Sequence, residues 1–522
     1  MWEAPVSSSR AVQVVNRRTR VSIGFLVALV SLTAGAVPGI ARAEATSVKS
    51  ITSASPFAAG CGVDHEAAGD GERTRDSEVE PDIAVNPANP DNLIVAYSQD
   101  LYDGYVVQTS LDGGRSWTER VPPKISTCAG GEYELAADAS VDIGPDGTAY
   151  LSSFVLDAPT RELALPHRTR LAVSTSSDGG VKWSEPVEII SGALRMSDRP
   201  IITADPNQPG VAYVTASEAQ TALGGAWSIG FSRTDDGGRT WSPYRPIFVP
   251  EGSPNANYIV CLKDGTLVLV TTINSYENGA APGTSPPRTV ALRSEDGGTT
   301  WSQPVEVTTW TPTGRGTPDS PFDDPETGTP VEAQEDNTTV GLAPDGTLYV
   351  AGRNSTGEGS SEIAVVRSDD GGKTWGEQLV VARGPHQKWM PSIAVDGRGT
   401  VGITYFDHRN DVLGDDPFTT DVWFAYSRTA GRTWSERHLA GPFDLRTATR
   451  RMIPIDGLFL GDYQGIAALA KGFVGAFAMS RPLAMVGHSD IFYARMRVPR
   501  KRRAPSAPSL RRHPQGSIDA RG

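Results

Sequence analysis

The sequence predicts an all-β fold, a β-propeller of four-stranded blades, from three observations. An eight-residue pattern, S/T-x-D-G-G-x-x-W, recurs along the chain. Pairs of short apolar strands alternate with it, and no stretch sustains a helical period. Glycine (55) and proline (39) are abundant, as short strands joined by tight turns require. Hydrophobic residues make up 38% of the 522, enough to build a core and to exclude chain-wide disorder.

The repeat comes first. It reads Ser-Leu-Asp-Gly-Gly-Arg-Ser-Trp at Ser110–Trp117 and returns at Ser176–Trp183, Thr234–Trp241, Ser294–Trp301 and Ser368–Trp375. A sixth copy, Ser427–Trp434, carries Thr429 in place of the aspartate and Ala430 in place of the first glycine. Starts are 66, 58, 60, 74 and 59 residues apart, the size of one blade. Each copy reads as a hairpin turn: the glycines supply left-handed positions and the aspartate accepts hydrogen bonds from its own turn. The tryptophan then buries its ring between neighbouring sheets. These aspartates are structural.

The interleaved strand pairs set the blade count. They start at Ile83, Val141, Ile201, Tyr258, Val340, Ile393 and Ile466, each an apolar strand, a polar turn and a second apolar strand. Seven pairs stand against six boxes. That mismatch favours seven blades over six, because a propeller closes firmly when one blade takes strands from both chain ends. The last blade would use Ile466–Leu469, Phe473–Phe477 and Ile491–Val498, with an outer strand from near residues 48–58.

The ends read as separate segments. Arg10, Arg17, Arg18 and Arg20 precede the apolar run Val21–Val37, and Ala41-Arg42-Ala43 closes it, the pattern of a signal peptide over residues 1–43. A retained membrane anchor is the alternative. Residues 44–76 form the segment that supplies the closing strand, 77–498 the propeller, and 499–522 a basic, disordered tail. The expected location is secreted or extracellular, with the tail available to an anionic cell wall. Formal net charge is −13, although leader and tail are both basic, so the body is more acidic still. Such a body repels nucleic acid and anionic membranes. Gly397–Gly402 matches G-x-G-x-x-G but leads into a strand, which excludes a dinucleotide loop.

Three cysteines allow one disulfide. Cys61 and Cys128, both in loop-like sequence, are the expected pair; Cys261 lies inside an apolar strand and reads as a buried thiol. No cysteine–histidine spacing suits zinc, so no metal or cofactor is expected.

With its boxes on the page, the chain resembles the BNR/Asp-box proteins of the sialidase (neuraminidase) superfamily, over roughly Glu80 to Val498. The resemblance implies a ligand face opposite the boxes, built by loops entering strand A and loops joining B to C. Ahead of A strands come Glu78, Glu80, Asp198, Arg199, Glu335, Asp336, Asp462 and Tyr463. After B strands come Asp100, Asp103, Arg353, Asp407, Arg409 and Arg481. Converging guanidinium groups hold a carboxylate bidentately, so Arg353, Arg409 and Arg481, aided by Arg199 and Asp407, are the expected substrate-binding set. The bland alternative pairs each arginine with its own neighbouring acid. By the same resemblance Tyr463 is the nucleophile, Glu335 its base, and Asp100 or Asp103 the acid/base. The family's F/Y-R-I-P string is missing; Asp198-Arg199-Pro200-Ile201 comes nearest.

Two function classes follow. One is a monomeric exo-glycosidase acting on sialic acid or another acidic sugar of a glycoconjugate. The other is a non-catalytic propeller that binds a glycan or protein. A third reading uses paired carboxylates such as Glu80 and Asp462 for a different glycosidase or lyase chemistry.

Overall fold

The structure, a computed structural model, describes residues 48–61, 75–157, 168–189, 196–219, 227–274, 286–312, 320–334, 337–357, 359–451 and 457–499. The leader read at residues 1–43 and the tail beyond Pro499 lie outside these. The described residues are all-β, with two three-residue 3-10 turns, Thr127–Ala129 and Leu445–Thr447. No helix among them is long and apolar enough to cross a membrane.

The described residues form eight four-stranded sheets. Sheet 1 runs Glu78–Val85, Leu93–Gln99, Gly104–Ser110, Thr118–Arg120, strands A to D in order. Sheets 2, 3 and 4 repeat the meander from Leu135–Ile143, Met196–Ala204 and Ser253–Cys261; sheets 5 and 6 from Thr339–Leu342 and Lys388–Val395. Sheet 7 takes Gly465–Ala468, Phe473–Ser480 and Ser489–Met496 from one end of the chain and Val48–Ser50 from the other. Val48 pairs with Ala494 and Ser50 with Phe492, so the N-terminal segment covers what would be an open edge. The A strands touch in cyclic order from sheet 1 to sheet 7 and back to sheet 1.

The boxes bind each sheet to the one before it. In the first, the Ser110 hydroxyl donates to Asp112 Oδ1 (2.9 Å) and accepts from the Gly114 N–H (2.8 Å). Asp112 also accepts the Arg115 and Ser116 N–H groups, each at 2.9 Å, and the Ser116 hydroxyl at 2.6 Å. Equivalent donors, Thr240 and Thr300 foremost, hold the carboxyls of Asp236 and Asp296 down to about 2. The second glycine is where the next sheet approaches. A Cβ on Gly298 would lie 2.2 Å from the Phe231 ring of sheet 3, and one on Gly114 2.4 Å from Tyr493 of sheet 7. Trp117 packs edge-on against the same Tyr493, centroids 5.0 Å apart. In the worn sixth box Thr429 Oγ1 takes over the acceptor role for Thr433 N (2.9 Å), and Ala430 sits at φ 53°.

The eighth sheet departs from the expected plan. It joins Phe322–Asp323 and Pro330–Glu332, between sheets 4 and 5, to Gly457–Phe459 and Thr449–Arg451, between sheets 6 and 7. Val331 pairs in parallel with Leu458. Arg446 fastens the excursion, its Nε 2.5 Å and Nη2 2.9 Å from the two oxygens of buried Asp324. Cys61 and Cys128 form a disulfide with Cα atoms 5.2 Å apart, and Cys261 is a buried free thiol.

Candidate functional site

The A strands carry a shared irregularity that builds the site. Register breaks fall between Val79 and Asp82, Ala137 and Ser140, Asp198 and Ile201, Asn255 and Tyr258, and Trp389 and Ser392. Within each break one non-glycine residue is left-handed: Glu80 (57°), Asp138 (54°), Arg199 (52°), Ala256 (57°) and Met390 (53°). Each such residue costs on the order of 1–2 kcal/mol, so its surroundings must hold it. A bulge re-aims side chains, and here it does so near the beginning of five A strands. Because strand direction alternates, that end of the sheets is opposite the box turns.

A cavity of about 130 Å³ lies there, lined by Asp82, Asp138, Ser140, Arg199, Tyr258, Tyr463 and Gln464 among others. Arg199 is its centre of charge. It is 4% exposed, its Nη2 donates to Asn337 Oδ1 (2.8 Å), and its guanidinium lies 4.5 Å from the Tyr463 ring centroid. Its backbone N–H donates to Asp138 Oδ2 (3.0 Å), which helps hold the left-handed turn. Arg199 Nη1 and Gln464 Oε1, both buried, have no hydrogen-bond partner among the described residues. A cationic donor and an amide acceptor left open on residues that line one cavity are the features a polar ligand would satisfy.

The acids around the cavity are not equivalent. Burial, then Glu80 and Asp198, push the Asp138 carboxyl well above the usual range against the pull of Arg199. Burial also raises Asp82, whose oxygens accept from Val141 N (2.9 Å) and Ile83 N (2.8 Å). Glu80 accepts from the Ser98 hydroxyl (3.3 Å) and the Tyr102 hydroxyl (3.2 Å). Asp462 Oδ1 accepts the Gln334 N–H (3.2 Å), while its carbonyl receives the Asn337 amide. A buried carboxylic acid that favours its protonated form beside a fixed cation can give a proton to a leaving group.

The sequence-derived candidates divide. Tyr463 and Arg199 line the cavity together. The Tyr463 hydroxyl donates to the Ala139 carbonyl (3.3 Å), and burial followed by Glu80 and Asp138 raises it well above its ordinary value, which opposes ionisation to a nucleophile. Each arginine of the expected set meets local partners of its own. Arg353 donates to Lys388 O (3.1 Å) and Gln387 Oε1 (2.6 Å). Arg409 binds Asp407 Oδ2 through Nε (2.8 Å) and reaches Glu436 (3.0 Å) while stacking 3.9 Å over Trp423. Arg481 is exposed and donates to Gly487 O (2.7 Å). None of the three lines the cavity, because local acids and carbonyls satisfy each guanidinium more cheaply than a shared, desolvated cluster would.

Asp407 is therefore Arg409's partner, with Lys388 Nζ 3.7 Å away, rather than a cavity residue. Asp100 is also elsewhere: it accepts from Ser55, Arg75, Gln99 and the Asp76 N–H beside the N-terminal segment. Asp103 lies beside the disulfide. Glu335, with Asp336, lies outside the described residues. Asp138, Asp82, Tyr258, Asn337 and Gln464 were not singled out by the sequence reading. A positional signal exists for the first: Glu80, Asp138 and Arg199 each stand three residues before the aliphatic residue Ile83, Val141 or Ile202.

No protein-family profile matches the chain, and no curated protein does. Solved structures do. A protein of unknown function from Dyadobacter fermentans is 14% identical with a TM-score of 0.43, covering 81% of this chain and 95% of that one. The Hadza microbial sialidase Hz136 is 14% identical (TM-score 0.41; 81% of this chain, 66% of that one). The α-L-arabinofuranosidase Arb93A of Fusarium graminearum is likewise 14% identical (TM-score 0.43; 67% and 93%). These likenesses concern the fold; the chemistry rests on the cavity's own residues.

Proposed function

We propose that the chain is an exported glycoside hydrolase acting at the end of a glycan on an acidic or strongly hydrogen-bonding sugar. Asp138 is the proton donor, Glu80 or Asp462 the second acid of the pair, and Arg199 the anchor for the sugar. The observation that carries this reading is the buried Arg199–Asp138 pair on the cavity wall, one member with an open donor and the other favouring its protonated form. The carboxylates supply acid/base chemistry of the two-acid kind, and the proposal depends less on Tyr463 than the sialidase resemblance does. Sialic acid remains the first sugar to test, since a single arginine still favours a carboxylate.

A second reading, a non-catalytic glycan-binding propeller, draws on the Tyr463 hydroxyl being engaged with a backbone carbonyl. The two separate in one experiment. The mature protein is assayed on aryl sialosides and arabinosides and on a glycan array, alongside Asp138→Asn, Arg199→Met and Arg409→Ala. A hydrolase loses about 10²–10⁴-fold in turnover with Asp138→Asn while still binding. Arg199→Met weakens binding roughly tenfold or more, and Arg409→Ala changes neither. Binding without turnover in the unaltered protein selects the second reading; no glycan response at all removes both.

A further inference from the structure

The eighth sheet ends beside the cavity, and its register sets one residue there. Its two middle strands, Pro330–Glu332 and Gly457–Phe459, run parallel, with Val331 opposite Leu458 and Glu332 opposite Phe459. Parallel strands deliver the segments that follow them to the same end. One leads to Asn337. The other leads through Leu460, whose carbonyl accepts the Glu80 N–H (3.4 Å), to Asp462, Tyr463 and Gln464. The two segments then bond to each other, Gln334 N to Asp462 Oδ1 (3.2 Å) and the Asn337 amide to the Asp462 carbonyl.

Asn337 is 5% exposed, and both ends of its amide are committed. A guanidinium only donates and a peptide carbonyl only accepts, so the two partners fix the amide's sense. Oδ1 faces Arg199 Nη2 (2.8 Å) and Nδ2 faces the Asp462 carbonyl. A flipped amide would set donor against donor and acceptor against acceptor.

Asn337 thus holds Arg199 without a charge of its own. Arg409 and Arg446 each bond a buried carboxylate, Asp407 and Asp324, which offsets their charge. Arg199 is different: among the described residues its guanidinium forms no ion pair, and Asp138 and Asp462 act on it from farther off. It is held by the Asn337 carbonyl and the Tyr463 ring, with Nη1 left over. A buried cation with no adjacent anion is costly, and a ligand carboxylate would relieve that cost.

We propose that Asn337 is a positioning residue that makes the cavity selective for a carboxylated sugar. It fixes the Arg199 guanidinium against Tyr463 and, being neutral, leaves the positive charge for the ligand. This rests on reading the cavity as a sugar site. An aspartate at this position would keep the bond to Nη2 but offset the charge, while its second oxygen would oppose the Asp462 carbonyl. An alanine would release the guanidinium without touching its charge.

The test titrates the mature protein, Asn337→Asp and Asn337→Ala calorimetrically with N-acetylneuraminic acid and glucuronic acid, and with galactose and arabinose as neutral probes. The unaltered protein should favour the acids. Asn337→Asp should weaken acid binding roughly tenfold or more and neutral-sugar binding less than about threefold, with Asn337→Ala between them for the acids. On an aryl glycoside that the protein hydrolyses, the loss should appear in KM with kcat retained. Misfolding would weaken every sugar alike, and circular dichroism checks it separately. Equal loss for acids and neutral sugars in a folded variant overturns the proposal, as does unchanged acid binding by Asn337→Asp. If the unaltered protein binds none of these sugars, the sugar reading fails and the selectivity with it, and diffraction decides the positioning role. In crystals of Asn337→Ala, a guanidinium displaced from the Tyr463 ring supports that role, and one that keeps its place there refutes it.

Discussion

Replacing Asp142 by asparagine should reverse the sign of its effect on stability between acid and alkaline pH. Asp142 belongs to strand A of sheet 2 and bridges to the next sheet: Oδ2 accepts Ala204 N (2.9 Å) and Oδ1 accepts Ile143 N (2.8 Å). Burial, with Asp82 adding repulsion, pushes its carboxyl up to about 7 from 3.8, against those two hydrogen bonds. Below about pH 4 both folded and unfolded chains hold this proton. Between about 4 and 7 the unfolded chain releases it and the folded chain keeps it, so stability falls as pH rises, by about 1.4 kcal/mol per unit. Three units give about 4 kcal/mol, an upper figure because Asp142 is only partly buried. Asparagine cannot ionise, but its amide NH₂ would face one of the two backbone N–H groups, costing about 1–3 kcal/mol at every pH. Asp142→Asn should therefore be less stable by about 1–3 kcal/mol at pH 4 and more stable by a similar amount at pH 8. Urea unfolding of both proteins across this range measures the difference, which cancels the other acids. A difference that stays flat within about 1 kcal/mol from pH 4 to 8 refutes the reasoning.

Three further outcomes are expected. Ala430→Gly should stabilise by about 0.5–1 kcal/mol in urea unfolding, since the left-handed strain it relieves exceeds the added freedom of the unfolded chain; no gain would mean that the sixth box relaxes around Ala430. Gly298→Ala places a methyl 2.2 Å from the Phe231 ring at a φ of 90°, and should lower stability by more than about 1–3 kcal/mol without altering the fold seen by circular dichroism. Loss of the Cys61–Cys128 bridge, which spans 67 residues, should cost about 4 kcal/mol by chain entropy; Cys61→Ser with Cys128→Ser, unfolded in urea under oxidising conditions, reads it directly.

Local chemistry fixed what the sequence could show. A turn that needs left-handed residues must be spelled with glycine, and a tryptophan wedge must follow it at fixed distance, so the six boxes and the strands around them were legible. So was the placement of Tyr463 and Arg199 at the start of an A strand. The pairing of Val48–Ser50 with the last strand was anticipated from arithmetic between strand pairs and boxes. The eighth sheet left only a trace, the 74-residue interval between two boxes, because its strands are two or three residues long and pair across more than a hundred residues.

The site was decided by tertiary structure. An arginine after a B strand reads the same whether it faces the axis or turns to its neighbour, and Arg409 turned to Asp407 and Glu436 because those acids were within reach. Asp138 drew no attention in the sequence, since an aspartate in Ala-Asp-Ala-Ser has no motif. Only burial at the bulge in its strand, and the closing of the ring that sets Glu80 and Asp198 near it, raises its carboxyl against the pull of Arg199 and makes it a candidate acid. The sequence determines turns and periods because these are properties of a few adjacent residues. The electrostatics of a cavity belong to residues brought from several sheets, and their charges are set by distances that exist only once the ring has closed.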